Sequence, residues 1–205
     1  MKLYYSPGAC SLSPHIVARE AGIELQLEKV DTKTKKVNGS GDYFAINPKG
    51  YVPALQIGEG DVLTEGPAIV QYLADQKPDS GLAPKNGSFE RYRLQEWLNF
   101  LTTEIHKGFS PLFKPNTPEE YKKISKDNLA SRFDWLDKQL AGKDYLTGKQ
   151  FTVADAYAFV LLNWTKFQSI DLAKWPNLQA FHARVAARPK VQEALQAEGL
   201  LKKAA

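Results

Sequence analysis

Two kinds of hydrophobic spacing divide this chain near residue 80. Before that point, short apolar runs alternate with helix-length segments: residues 2–5 predict a strand, residues 12–21 a helix, and residues 25–30 a second strand. A loop rich in Gly, Asn and Lys follows. Residues 51–57 and 61–64 predict two more strands joined by the Gly58-Glu59-Gly60 turn, and residues 67–75 a helix. The order βαβ then ββα predicts a small mixed sheet with helices packed on it.

Residues 78–88 are turn formers without periodicity and read as a linker. Beyond them helical spacing is almost continuous. Leu94, Trp97, Leu98, Leu101 and Ile105 share one face, Phe133, Leu136 and Leu140 mark a second helix, and Ala158, Leu161, Leu162 and Thr165 a third. A last pattern joins Leu178, Phe181 and Val185 and, after a break at Pro189, Val191 and Leu195. The predicted organisation is an α/β domain over 1–77, a linker over 78–88 and an all-helical domain over 89–205. Within the latter, Phe151-Thr152-Val153-Ala154-Asp155 has the form of a capping box preceded by an apolar residue, a folding signal rather than a catalytic one.

Composition narrows the class. A chain of 205 residues can bury a large core as one domain or two. No apolar run approaches the ~20 residues that span a bilayer, the N-terminus lacks a signal-peptide pattern, and a single cysteine forms no intramolecular disulfide. These features predict a soluble cytoplasmic protein that engages no membrane. The net charge of +4 is small, and the basic clusters Lys33-Thr34-Lys35-Lys36 and Lys202-Lys203 lack interleaved aromatics, so no nucleic-acid partner is expected. A mildly positive surface suits a small anionic ligand.

Four places carry candidate chemistry. Cys10 follows the Pro7-Gly8-Ala9 turn at the start of the first helix, where unpaired N–H groups and the helix dipole favour a thiolate; Ser11 and Ser13 are candidate caps. Pro53 inside a strand-like run fits either an edge strand or a cis Val52-Pro53 bond that turns the Val52 backbone toward a ligand. Thr64-Glu65-Gly66-Pro67 puts Gly66 at a helix cap with N–H groups suited to a carboxylate, and Glu65 beside them suits an ammonium; an ordinary helix start accounts for the same residues. His106, on a polar stripe with Asn99, Thr102 and Thr103 about 180° from Trp97, faces either solvent or a cleft, and closes its helix at His106-Lys107-Gly108. His15 and His182 have no evident partners and read as structural. Neither a metal-ligand spacing nor a Gly-rich nucleotide fingerprint is present.

Taken in order, the segments Met1-Lys2-Leu3-Tyr4-Tyr5-Ser6-Pro7-Gly8-Ala9-Cys10-Ser11-Leu12, Asn47-Pro48-Lys49-Gly50-Tyr51-Val52-Pro53-Ala54-Leu55, Leu63-Thr64-Glu65-Gly66-Pro67-Ala68-Ile69 and Glu104-Ile105-His106-Lys107 resemble the bacterial beta class of glutathione transferases. The resemblance covers essentially the whole chain. It implies a thioredoxin-like N-terminal domain plus an all-α C-terminal domain, with glutathione as co-substrate. Cys10 would hold the glutathione sulfur, directly or as a mixed disulfide, and His106 would act beside it as the second catalytic residue. Val52 would pair with the cysteinyl backbone, Glu65 and Gly66 would bind the γ-glutamyl end, Lys35 the glycine carboxylate, and Lys107 would approach the thiol. Asn99 would contribute across the interface of a homodimer.

Most glutathione transferases activate the thiol with a Tyr or Ser hydroxyl, for which Tyr5, Ser6 and Ser11 are nearby decoys. A cysteine can also attack disulfides. Cys10-Ser11-Leu12-Ser13 lacks a second cysteine, so a mixed disulfide must be resolved by another glutathione. The expected activity is conjugation of glutathione to small hydrophobic, xenobiotic electrophiles held between the domains, a detoxification role, with thiol-disulfide exchange or peroxidase activity through Cys10. The rival expectation is a non-catalytic ligand-binding or redox-sensing protein of the same fold.

Overall fold

In the computed structural model, which describes residues 1–201, the chain begins with strand β1 (Lys2–Tyr5), helix α1 (Leu12–Glu20) and strand β2 (Gln26–Asp31), followed by β3 (Lys36–Val37) and β4 (Gly41–Asp42). Strands β5 (Ala54–Ile57) and β6 (Asp61–Thr64) and helix α2 (Gly66–Asp75) complete the α/β part. All six strands form one sheet in the order β4-β3-β2-β1-β5-β6. The β1-β2 pair is parallel, joined through α1, and the other pairs are antiparallel.

Alternation along β1 explains how both faces of the sheet are filled. Leu3 stands opposite Leu55 in the ladder, and both are fully buried, as are Ile16 and Val17 of α1 and Ile69, Val70 and Leu73 of α2. Tyr4, one residue on and so directed to the other face, joins Val30, Val37, Tyr43, Val52 and Ala54 in a second buried cluster.

Two expectations for this region change. The predicted loop after β2 holds β3 and β4, whose two-residue ladders are too short to leave a periodic trace; Lys35 and Asn38, with φ of +57° and +48°, turn the chain into and out of the first of them. The strand expected from residue 51 starts only at Ala54, and β5 lies between β1 and β6, so Pro53 is not on an edge: Val52-Pro53 is cis.

Contacts divide the chain into two compact units, Met1–Ala83 together with the segment from Ala187 onward, and Pro84–Ala186. The first boundary falls inside the predicted linker. The second departs from the sequence pattern, because helix α8 (Pro189–Ala197) packs on α1 and thus belongs with the sheet. Arg188 clamps Glu20 at the end of α1 with two nitrogen–oxygen contacts of 2.7 Å. Glu198, buried just past α8, accepts from the His15 ring at Nδ1 (2.9 Å) and from the Gly8 amide (2.9 Å). The Arg19 Nε–H donates to His15 Nε2 at 3.0 Å. Because arginine only donates, Nε2 bears no hydrogen and the ring is the Nδ1–H tautomer. His15 therefore has partners on both nitrogens, contrary to the expectation from sequence. The Lys202-Lys203 cluster lies outside the described residues.

The helical unit contains α3 (Phe89–Phe100), a π-helical turn (Leu101–His106), α4 (Lys107–Phe113), α5 (Glu119–Leu140), α6 (Val153–Phe167) and α7 (Pro176–Ala186). Ser88 caps α3, its hydroxyl accepting from the Arg91 amide at 3.2 Å. The helix expected to close at Gly108 continues instead to Phe113. Gly108 is there for close approach: a Cβ at this position would stand 2.8 Å from a Leu129 methyl of α5. The start of α6 is as predicted. The Asp155 carboxylate accepts from the Thr152 amide and hydroxyl and from the Leu146 amide at 2.7–2.8 Å, and Thr152 reciprocates toward the Asp155 amide. His182, also expected to lack a partner, bonds Asn163 Oδ1 through Nε2 at 2.7 Å and stacks on Phe159.

Candidate active site

Cys10 sits in the turn between β1 and α1, two residues before the first helical one. Neither serine caps the helix as expected. The Ser11 hydroxyl is held by Ser6, accepting from its amide (3.1 Å) and donating to its carbonyl (3.2 Å), and the Ser13 hydroxyl donates to the Cys10 carbonyl at 2.9 Å. The early N–H groups are also engaged, Leu12 with the Ala9 carbonyl and Ser13 with the Cys10 carbonyl. These turn bonds fix the loop and leave Cys10 half-buried, with Sγ 3.2 Å from the Val52 carbonyl oxygen. The S–H donates to that oxygen, a bond that a thiolate does not make.

Val52 belongs to a loop fixed from beneath. The carbonyl of the preceding residue, Tyr51, accepts from the buried Tyr43 hydroxyl (2.8 Å) and from Asn47 Nδ2 (2.7 Å). Burial pushes the Tyr43 phenol up to about 12, partly offset by its bond with Asn47, so it stays a donor at neutral pH. Gly50 is required by this turn: its φ is +66°, and a Cβ there would lie 2.8 Å from the Phe44 ring. Lys35 reaches the same loop, its ammonium donating to the Gly50 carbonyl at 2.7 Å and standing 5.8 Å from the centre of the Tyr51 ring.

At the start of α2 the cap position is Glu65, with Gly66 the first helical residue, one earlier than the sequence suggested. Glu65 has φ of +68°, its side chain makes no capping bond, and its carboxylate is exposed. Lys49 Nζ lies 2.5 Å from Glu65 Oε1 and 2.8 Å from Thr64 Oγ1. The sheet unit thus brings Cys10 and Val52 into contact and carries Lys35, Glu65 and Gly66 on adjoining loops. Lys49, Asn47 and Tyr43 were missed as site residues, although the first two lie in the quoted Asn47 to Leu55 motif.

Of the hydroxyl decoys, Ser11 is committed to Ser6, and burial followed by the nearby Glu198 charge raises the Tyr5 phenol above its usual range.

The remaining candidates belong to the helical unit. His106 ends the π-turn half-buried, with Nδ1 2.6 Å from the Tyr157 hydroxyl and its ring edge-on to Trp164 at 4.9 Å between centroids. Trp164 also meets Phe109 and Phe113, so the histidine stands beside an aromatic group. The polar stripe drawn on a regular wheel does not survive the wider π-turn: Asn99 and Thr103 are exposed, whereas His106 is packed. Lys107 is exposed.

Comparison with known proteins accounts for this set of features. Residues 8–76 match the N-terminal domain of glutathione S-transferases and residues 100–189 their C-terminal domain. The glutathione S-transferase GstA of Escherichia coli O157:H7 is 48% identical over 200 residues, covering 98% of this chain and all of the relative. The solved structure of a beta-class glutathione S-transferase of Sphingomonas chungbukensis is 49% identical, with a TM-score of 0.95 over 98% of this chain and 100% of its own. That of a sphingomonad glutathione S-transferase complexed with glutathione is 48% identical, with a TM-score of 0.94 over the same shares. The chain belongs to the glutathione S-transferase family, and within it to the bacterial beta class.

Proposed function

We propose that this protein conjugates glutathione to small hydrophobic electrophiles and exchanges disulfides through Cys10. The contact between Cys10 Sγ and the Val52 carbonyl, 3.2 Å long, carries the reading of the site, because it sets the thiol beside the backbone that would pair with the cysteinyl unit of the tripeptide. Lys35 would take the glycine carboxylate, and Glu65 with Gly66 the zwitterionic γ-glutamyl end; beyond Gly66, Pro67 has no N–H and the Ala68 and Ile69 amides already donate to the Glu65 carbonyl at 3.0 Å. His106 and Lys107 would supply hydrogen-bonding and positive charge near the reacting sulfur.

Two reactions follow. In conjugation the glutathione thiolate attacks the electrophilic carbon, a carbon–sulfur bond forms, and the leaving group departs with the bonding pair. In exchange the Cys10 thiolate attacks the glutathione sulfur of a mixed disulfide between glutathione and another thiol, giving a Cys10–glutathione disulfide and releasing that other thiol as its thiolate; a second glutathione then attacks the Cys10–glutathione disulfide, restoring Cys10 and forming glutathione disulfide. With peroxide as oxidant, two glutathiones are consumed for each peroxide reduced. A detoxifying role in the cytoplasm, where the lone thiol stays reduced, fits this chemistry. No described helix is long and apolar enough to cross a membrane.

The working form is a homodimer in this reading. Helix α3 leaves Phe89 and Tyr92 more than half exposed, and Asn99 further along it is exposed as a residue serving a partner's site would be.

The reading is tested by incubating the reduced protein with glutathione disulfide and weighing it intact. One adduct of a single glutathione, removed by reductant, is expected, together with glutathione-dependent conjugation of an aryl halide. Absence of both adduct and turnover refutes it.

A further inference from the structure

Asn47 is a pivot in the loop ahead of β5. Its buried side chain donates from Nδ2 to the Tyr51 carbonyl at 2.7 Å and accepts the Lys49 amide hydrogen on Oδ1 at 3.2 Å. One residue thus sets both the backbone leading to Val52 and the backbone of Lys49. From there the Lys49 side chain reaches the start of α2, where it bonds Thr64 Oγ1 and Glu65 Oε1.

The pair is exposed, at 47% for Lys49 and 70% for Glu65, so it adds little to stability. Its effect is on geometry. Glu65 has no capping bond of its own, and an exposed carboxylate held by nothing samples several rotamers. Lys49 selects one of them. A carboxylate accepts on both oxygens; with Lys49 on Oε1, and no other bond to Oε2 among the described residues, the second oxygen is left to receive a further ammonium.

We infer that Lys49 is a positioning residue for the γ-glutamyl end of glutathione: it holds Glu65 so that Oε2 meets the ligand's free α-ammonium. This rests on the reading of Glu65 as the γ-glutamyl site. The consequence is selectivity for γ-glutamyl peptides with a free α-amine, since an acylated amine brings no positive charge to the waiting oxygen.

The test is calorimetric titration of glutathione into the full-length protein and the variants Lys49→Met, Lys49→Arg, Glu65→Gln and the Lys49→Met/Glu65→Gln pair. Lys49→Met is expected to weaken binding about three- to fivefold, the upper part of what an exposed pair contributes, with KM raised, kcat unchanged and the melting temperature unmoved. Lys49→Arg restores affinity, and the double variant binds no more weakly than Glu65→Gln alone. Binding by Lys49→Met as tight as the parent's, or tighter, overturns the inference, as does a double variant that sums both losses, because Lys49 then acts on the ligand directly. If Glu65→Gln alone leaves affinity unchanged, the γ-glutamyl assignment itself fails, a result distinct from a weak Glu65→Gln beside a normal Lys49→Met.

Discussion

Glu198 accepts the Gly8 amide hydrogen at 2.9 Å, a bond that joins residues 190 apart in sequence and holds the turn leading to Cys10. The same carboxylate receives the hydrogen on Nδ1 of the buried His15, so its removal costs both that bond and the one from the half-buried Gly8 amide. Glu198→Ala is expected to cost about 3 kcal/mol, one to two for each bond lost. Thermal unfolding should register a drop of about 6–12 °C for a chain of this size. A midpoint within a degree of the parent's contradicts the role given to this bond.

Asp155→Ala should be as harmful, for the same kind of reason. Three donors lose their acceptor, and the helix that loses its start, α6, is buried along most of its length. A loss of about 3 kcal/mol is expected from the stranded amides alone. Urea unfolding measures it, and an unchanged transition would mean that the carboxylate is dispensable.

Cys10→Ala is expected to abolish adduct formation with glutathione disulfide, since Cys10 is the only cysteine in the chain. Conjugation of an aryl halide should persist at a reduced rate, because the contacts that position the tripeptide remain. Intact mass and a conjugation assay on the same sample separate the two. Undiminished exchange in the variant removes Cys10 as nucleophile.

Two groups shift acid stability in opposite directions, the half-buried His182 and the buried Asp155. Burial, with the Lys166 charge second, lowers the His182 imidazole to about 4, whereas the unfolded chain protonates it near 6.5. Between those values the unfolded state binds more protons, so this group makes stability fall as pH falls. Burial raises the Asp155 carboxyl from 3.8 to about 6 against the pull of its hydrogen bonds, so from about 6 down to 3.8 the native state binds more protons and stability rises as pH falls. His182→Gln keeps a donor for Asn163 and removes one of the slopes. Relative to the parent it should gain up to about 3 kcal/mol between pH 6.5 and 4. Urea unfolding at several pH values gives the difference, and one that does not vary with pH refutes the assignment.

Much of the fold was legible because it is local or periodic. The faces carrying Leu94, Leu98, Leu101 and Ile105, or Phe133, Leu136 and Leu140, are buried as their spacing predicts, and the Thr152–Asp155 pairing lies within four residues. Cys10, Val52, Glu65 and Gly66 stood out because turn and cap chemistry marks their surroundings. Hidden features are of another kind. Glu198 meets Gly8 and His15 only through the folded chain, and the two-residue strands β3 and β4 are backbone ladders with no side-chain period. The π-turn widens one part of a long helix and shifts every later residue around the axis, so a wheel of constant pitch misplaces His106. Lys49 was passed over because an exposed lysine has no signature until its partner is known.

The grouping of α8 with α1 also orders events during synthesis. The chain leaves the sheet unit at Ala83 and returns at Ala187, so the helical unit emerges from the ribosome whole while the sheet unit still lacks its last helix. At about 5–20 residues per second, Glu198 follows Gly8 by roughly ten to forty seconds. For that interval the turn that carries Cys10 has no tie from Glu198.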